Sequence, residues 1–130
     1  MLSRKIELEK DYKEIANWWT KQDWPVMPTS MLCDDGFIVE DDENKLAACW
    51  VFSTNCPIYI MEWTVGNPDV DWETRQKALD MLIATCVEWS KDNGAEFLFT
   101  MTKRGRFLDK LKDNEFKETD EDMVHLMRRV

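Results

Sequence analysis

Two positive charges stand at a corner of an acidic chain. Residues 60–83 read IMEWTVGNPDVDWETRQKALDMLI: an apolar strand pattern, a polar turn, then an amphipathic helix. Arg75, Gln76 and Lys77 fall where that helix begins. A helix start offers free N–H groups and the positive end of the dipole, so cations there point to a bound phosphate. A solvated first turn accounts for the same residues. Lys103, Arg104 and Arg106 form a second basic group after the next strand pattern, with the same two readings. Other chemistries find less in the chain. Cys33, Cys49, Cys56 and Cys86 contain no C-x-x-C pair, and the lone His125 completes no zinc set. They read as reduced thiols, and without a nearby histidine signature nucleophilic catalysis is not expected. His125 reads as structural. The acidic run Glu40, Asp41, Asp42 and Glu43 lacks the alternating ligands and central glycine of a calcium loop, so no metal is expected.

The bulk of the sequence narrows the partners. A chain of 130 residues with 44% apolar residues is expected to form one domain, 1–130, with a real core. No apolar run approaches the ~20 residues of a membrane helix, and the polar start MLSRKIELEKDYKE does not read as a signal peptide. A cytoplasmic protein is the expectation. The net charge of −9 argues against nucleic acid and fits a neutral or basic partner, such as an amine or a lysine-rich protein. Seven tryptophans are many for this length. Each either fills the core or lines a pocket.

The elements that must position these residues follow from periodicity. Ile6 and Leu8 alternate with charged residues and predict a short strand. Tyr12, Ile15, Ala16 and Trp19 mark one stripe of a helix over 11–21. The stretch QDWPVMPTSMLCDD predicts a loop, and its Trp24, Met27 and Met31 make it either a site wall or a loop packed on the core. Apolar runs at 37–39 and 46–52 around EDDENK predict a hairpin, and 58–65 a further strand. Asp71 is the expected N-cap of the long helix, Leu79, Leu82, Ile83, Cys86 and Ser90 its inner stripe with Val87 beside it, and Gly94 its C-terminal stop. Phe97, Phe99 and Met101 predict a strand, Phe107, Leu108 and Leu111 a short helix, and 123–127 a last strand. The order β-α-β-β-β-α-β-α-β makes a mixed α/β sheet with helices on its faces.

That order, with four local motifs, resembles the GNAT superfamily of N-acetyltransferases over nearly the whole chain. YIMEWTV is similar to the family's central strand, and RQKALDMLI to its R/Q-x-x-G-x-G/A cofactor motif. VEWSKDNGAEFLFTM resembles the helix, glycine and strand that follow, and FLDKLKDNEFKE the short helix and "GF" corner. Compactness and the phrase EW-x-V-x-NP look closest to small GNAT-like proteins encoded by bacteriophages. The departures are specific. Ala78 and Asp80 stand where the motif has glycines, Glu115 replaces the glycine before Phe116, and the family's acid tyrosine falls near Leu111, which cannot donate a proton.

The resemblance implies acetyl-CoA as co-substrate and no metal. The central sheet splays, and the backbone of Trp63, Thr64 and Val65 pairs with the pantetheine arm. Arg75, Gln76, Lys77, Ala78 and Leu79 hold the pyrophosphate, with Arg104 on the nucleotide half. Asp80 is the objection, because a carboxylate there must point away or be offset by Arg75 and Lys77. Glu62, on the central strand, is the implied general base for an acceptor amine whose pKa is near 10. A backbone N–H near Val65 polarises the thioester. Trp18, Trp19, Trp24 and Met27 are the implied acceptor wall. The implied activity is acetyl transfer to a small amine or a protein lysine, and relatives of this kind often form homodimers. The alternative is a GNAT-shaped binding protein that has lost its chemistry, consistent with a phage protein acting on a host protein in the host cytoplasm.

Overall fold

A computed structural model describes residues 1–130. The elements run β1 (Leu2–Lys5), α1 (Leu8–Lys21), a single 3-10 turn (Thr29–Met31), β2 (Gly36–Glu40), β3 (Lys45–Phe52), β4 (Ile58–Gly66), α2 (Trp72–Asp92), β5 (Phe97–Phe99) and α3 (Arg106–Asp113). The five strands form one sheet in the order β1-β2-β3-β4-β5. β1 to β4 pair antiparallel, and β4 pairs parallel with β5. Each face of the sheet carries its own core. Val39, Ala47, Cys49, Val51 and Met61 face α2 and α3, while Ile38, Ala48, Trp50 and Val65 face α1. β3 is covered on both faces, and this is why KLAACWVF reads as a continuous apolar run without alternation.

Most expected elements form, with three corrections. The first strand is Leu2–Lys5, so Ile6 lies just past it and Leu8 opens α1. The helix starts a turn before the predicted residue 11 because Asp11 reaches back. Its carboxylate accepts the Glu7 N–H at 2.8 Å and secures the first turn from inside. The last strand, 123–127, is absent. Met123, Val124, Leu126 and Met127 are 70–91% exposed, so nothing is buried there to offset the entropy of ordering a strand.

Two caps explain where helices stop. Gly94 has φ +100° just past α2, and the Ala95 N–H returns to the Ser90 carbonyl at 2.9 Å. Past α3 the same left-handed position is held by Glu115, at φ +68°, and the Phe116 N–H returns to Leu111. The backbone turn of a "GF" corner is therefore made without its glycine. In the hairpin between β2 and β3, Asp41 Oδ1 accepts from the N–H groups of Glu43 and Asn44, so one member of the acidic run serves the turn.

A buried ionic cluster ties β1 to α1 and to the hairpin. Asp11 is fully buried. Arg4 donates to both of its oxygens at 2.8 and 2.9 Å and to Glu40 at 2.8 Å, and Lys45 approaches Asp11 at 2.9 Å. Burial alone raises the Asp11 carboxyl; the hydrogen bonds from Arg4, the Glu7 N–H and Lys45 outweigh it and hold the group well below the usual aspartate range. A depressed carboxyl contributes stability that is present above the unfolded value, near 4, and is lost as pH falls toward the native one. Asp11→Ala strands two cations and is expected to cost about 2–4 kcal/mol in urea unfolding at pH 7. The gap between wild type and variant should shrink as the pH of the titration is lowered from 5 to 2.

Candidate active site

β4 cannot stay straight. Ala48 on β3 faces Val65, and Trp50 faces Glu62, so Cys49 stands opposite two residues, Trp63 and Thr64. This is a β-bulge, and it puts Trp63 at φ +61°, a conformation that costs a tryptophan energy. The bend has two consequences. β4 pairs with β5 only from Ile58 to Ile60, so beyond Ile60 its outer backbone edge has no strand beside it. Glu62 and Trp63 are also both turned to the α1 side of the sheet: Glu62 by its pairing with Trp50, Trp63 by its packing in that core.

Two buried polar atoms at this bend have no partner, Glu62 Oε1 and Trp63 Nε1. Burial pushes the Glu62 carboxyl up from its ordinary value; the charge of His125 and the Met101 backbone N–H oppose the rise without cancelling it. Sites for proton transfer commonly hold a half-buried carboxylate with a raised affinity for protons and no neutralising partner. On the β1 and β2 side of Trp50, Ile6, Glu7, Leu8, Glu9, Cys33, Asp34, Gly36 and Trp50 line an open cavity of about 330 Å³, which Glu62 itself does not line. Trp50 is the cross-strand neighbour of Glu62, and three carboxylates stand on the rim. The sequence reading missed Glu7, Glu9, Asp34 and Trp50. For Glu7, Glu9 and Asp34 the only signal is a position flanking β1 and β2; Trp50 lies within the apolar run of β3.

The implied acceptor wall looks different. Trp18 and Trp19 are 1% and 2% exposed, and Trp19 packs on Trp50 with centroids 5.8 Å apart. They glue α1 to the sheet and present no surface to a ligand. Trp24 is exposed, and Met27 is half-buried with its carbonyl accepting from Tyr12 Oη at 2.7 Å. Only these two remain available to a bound molecule.

The start of α2 departs furthest from the expected phosphate site. The helix begins at Trp72, before the motif, so the N–H groups of Gln76 to Leu79 lie within the helix, and Ala78 and Leu79 are buried against the sheet. Asp71 caps the helix, taking the Thr74 N–H at 2.9 Å and the Thr74 hydroxyl at 2.7 Å. The Arg75 N–H goes to the Asp71 carbonyl, which leaves the N–H groups of Trp72 and Glu73. The Arg75 side chain turns inward over Gly66 and donates to the carbonyls of Asn67 and Val70 at 3.3 and 3.4 Å. Lys77 pairs with Glu73 at 3.1 Å. A further anion ~6 Å from the Asp71 carboxylate is repelled by roughly 3 kcal/mol at an effective dielectric near 20. Asp80 does point away, but Lys110 at 2.9 Å and Asn114 at 3.2 Å hold it, and not Arg75 or Lys77. Arg104 pairs with Glu118 and Glu121, and Arg106 lies 6.0 Å over the Trp72 ring.

Gly66 leaves the space that Arg75 fills: a Cβ on it would lie 2.6 Å from Arg75 Cδ. Gly66→Ala should therefore destabilise by about 1–2 kcal/mol. In an Arg75→Ala background, the same substitution should cost little, and a double-mutant cycle by denaturant unfolding reads the difference.

No protein-family description matches this chain, and no curated protein matches it in sequence. Solved structures do match. A probable acetyltransferase aligns over 100% of this chain and 99% of its own, with TM-score 0.75 and 14% identity. A point mutant of TTHA1254 from Thermus thermophilus aligns over 100% and 98%, with TM-score 0.73 and 16% identity. AAC(6')-Iy, solved with the bisubstrate analog CoA-S-monomethyl-acetylneamine, aligns over 98% of each chain, with TM-score 0.67 and 16% identity. Identities this low speak for the fold alone, and the fold is that of the GNAT acetyltransferases.

Proposed function

We propose that residues 1–130 form one acyltransferase domain that moves an acetyl group from a thioester such as acetyl-CoA to a primary amine. The observation that carries this reading is Glu62, a half-buried carboxyl with one orphaned oxygen, seated at the bend where β4 leaves β5. In the transfer, the amine nitrogen attacks the thioester carbonyl. Glu62 first takes one proton from the ammonium, directly or through water, to free the lone pair; the C–N bond then forms as the C–S bond breaks, the nitrogen's second proton passes to solvent, and the thiolate gains a proton from solvent. An amine with pKa near 10 arrives mostly protonated, so a base with raised proton affinity suits the step. The free backbone edge of β4 offers N–H and C=O groups to the amides of an extended thioester arm, as an added strand would use them. In this reading a backbone N–H of the same edge, near Val65, polarises the carbonyl.

The acceptor is a small cationic amine. Glu7, Glu9 and Asp34 around the cavity beside Trp50 complement positive charge, and the net charge of −9 reinforces them. The similarly folded AAC(6')-Iy was solved with the bisubstrate analog CoA-S-monomethyl-acetylneamine. A second reading rests on the capped, anionic start of α2: a GNAT-shaped binding protein that has given up its chemistry, of the kind a phage directs at a host protein. A protein of that kind has no need of a desolvated carboxylate at the bend.

Glu62→Gln is expected to lower kcat by ~100-fold or more against a screened amine, with acetyl thioester binding unchanged. The wild-type rate should rise with pH through a midpoint above the ordinary glutamate value, and that limb should vanish in the variant. The variant should also be the more stable protein. A carboxyl raised in the fold costs stability once pH exceeds its unfolded value, so the melting-temperature gap should open on going from pH 4 to pH 8. A variant with full activity removes Glu62 from the reaction.

A further inference from the structure

Resting on the acyltransferase reading, we propose that this chain grips its donor by the thioester arm alone. The nucleotide diphosphate adds little, so acyl-pantetheine thioesters serve as well as acyl-CoA. The inference comes from comparing the two ends of the cleft. At one end the β4 backbone beyond Ile60 has no strand along its outer edge, because β5 stops pairing there; the Met101 N–H reaches only the Glu62 side chain, and the Gly66 carbonyl accepts from Gln22 at 3.3 Å. An arm carrying two amides can use that edge whatever is attached beyond it. At the other end, a diphosphate over α2 would meet a helix start capped by an aspartate, with the N–H groups of Trp72 and Glu73 alone left over.

Four observations close that end. The Asp71 carboxylate sits in the anion position and takes the Thr74 N–H and hydroxyl. Glu73 places a second carboxylate in the first turn. Arg75, the cation of the motif, faces inward between Gly66 and two loop carbonyls. Lys77 is engaged by Glu73, and Arg104 by Glu118 and Glu121. Asp69, in the preceding loop, is paired with Lys21. Arg75 and Arg106 have no carboxylate partner; Arg75 is turned to the loop carbonyls, and Arg106 lies over the Trp72 ring beside the first-turn carboxylate of Glu73. A free helix N-terminus attracts phosphate through its N–H groups and dipole. Here the capping aspartate has taken that role, so the phosphate charge is met by no net attraction.

Calorimetric titration of the full chain with acetyl-CoA and with S-acetyl-pantetheine, at 20 and 150 mM salt, tests this without knowledge of the acceptor. The expected result is dissociation constants within about threefold of each other, and little salt dependence for either. The variant Asp71→Asn/Glu73→Gln keeps a competent cap, since asparagine caps as well as aspartate. It should tighten acetyl-CoA severalfold and leave S-acetyl-pantetheine unchanged. Acetyl-CoA binding more than about thirtyfold tighter than S-acetyl-pantetheine in wild type overturns the inference and leaves the acyltransferase reading standing. Binding of neither compound at millimolar concentration overturns that reading, and this inference with it.

Discussion

Trp63 occupies a backbone conformation that an L-residue of its size avoids, and much of the site depends on it. One extra residue in β4 opposite Cys49 rotates the strand, so that Glu62 and Trp63 face the α1 core while Met61 and Thr64 lie toward α2. Without the bulge, strict alternation would carry Val65 away from the α1 core, where it is 1% exposed. The bulge also bends the strand out of register with β5. The same local strain therefore sets the direction of the candidate base and opens the edge beside it. Such strain persists only where surrounding packing over-determines it. Here β3, buried on both faces, is the rigid partner against which β4 bends.

The α1 face of the sheet supplies that rigidity by packing, with charge at its margin. Trp18, Trp19 and Trp50 fill it with large rings, and the Arg4, Asp11, Lys45 and Glu40 cluster closes the end where β1, α1 and the hairpin meet. A fully buried aspartate is tolerated there because two cations and a backbone N–H satisfy it. Glu62 contrasts with it on the same face. It is less buried than Asp11 but has one oxygen without a partner, and its carboxyl is shifted the opposite way. In these two carboxyls, partners more than depth of burial set the direction in which the proton affinity moves.

The layout of the elements was legible in the sequence wherever a period or a cap carried it. The stripe from Leu79 to Ser90, the cap at Asp71 and the stop at Gly94 all stand as read. What failed depended on distant neighbours. The helical stripe separated Trp19 from Trp24 in its loop, but no local signal said whether a tryptophan on that helix faces the core or a pocket. The bulge at Trp63 carries no glycine to announce it, and neither does the left-handed Glu115. The apolar 123–127 segment looks like a strand by alternation, yet strands need a partner and a buried face, and the fold gives it neither. The basic pair was legible as a pair; that Arg75 would fold back over Gly66 was not, since the pocket that holds it is made by the loop 67–71.

The opposition between the two ends of the cleft has an electrostatic origin. A chain of net charge −9 repels a polyanion everywhere except where it concentrates cations. The chain does hold 17 lysines and arginines. Several around α2 and α3 are spent on carboxylates of the same chain, Lys77 on Glu73, Lys110 on Asp80, Lys112 and Arg104 on Glu118, and Arg75 is turned to the carbonyls of Asn67 and Val70. An amine meets the reverse situation, since the carboxylates of Glu7, Glu9 and Asp34 stand open at the cavity beside Trp50. Lys10 draws on Glu7 from the solvent side and leaves the other two free. A field of this sign favours the acceptor over the diphosphate of the donor. Under the proposed reaction a thioester donor would be held by uncharged means, and the β4 backbone beyond Ile60 is one surface of that kind.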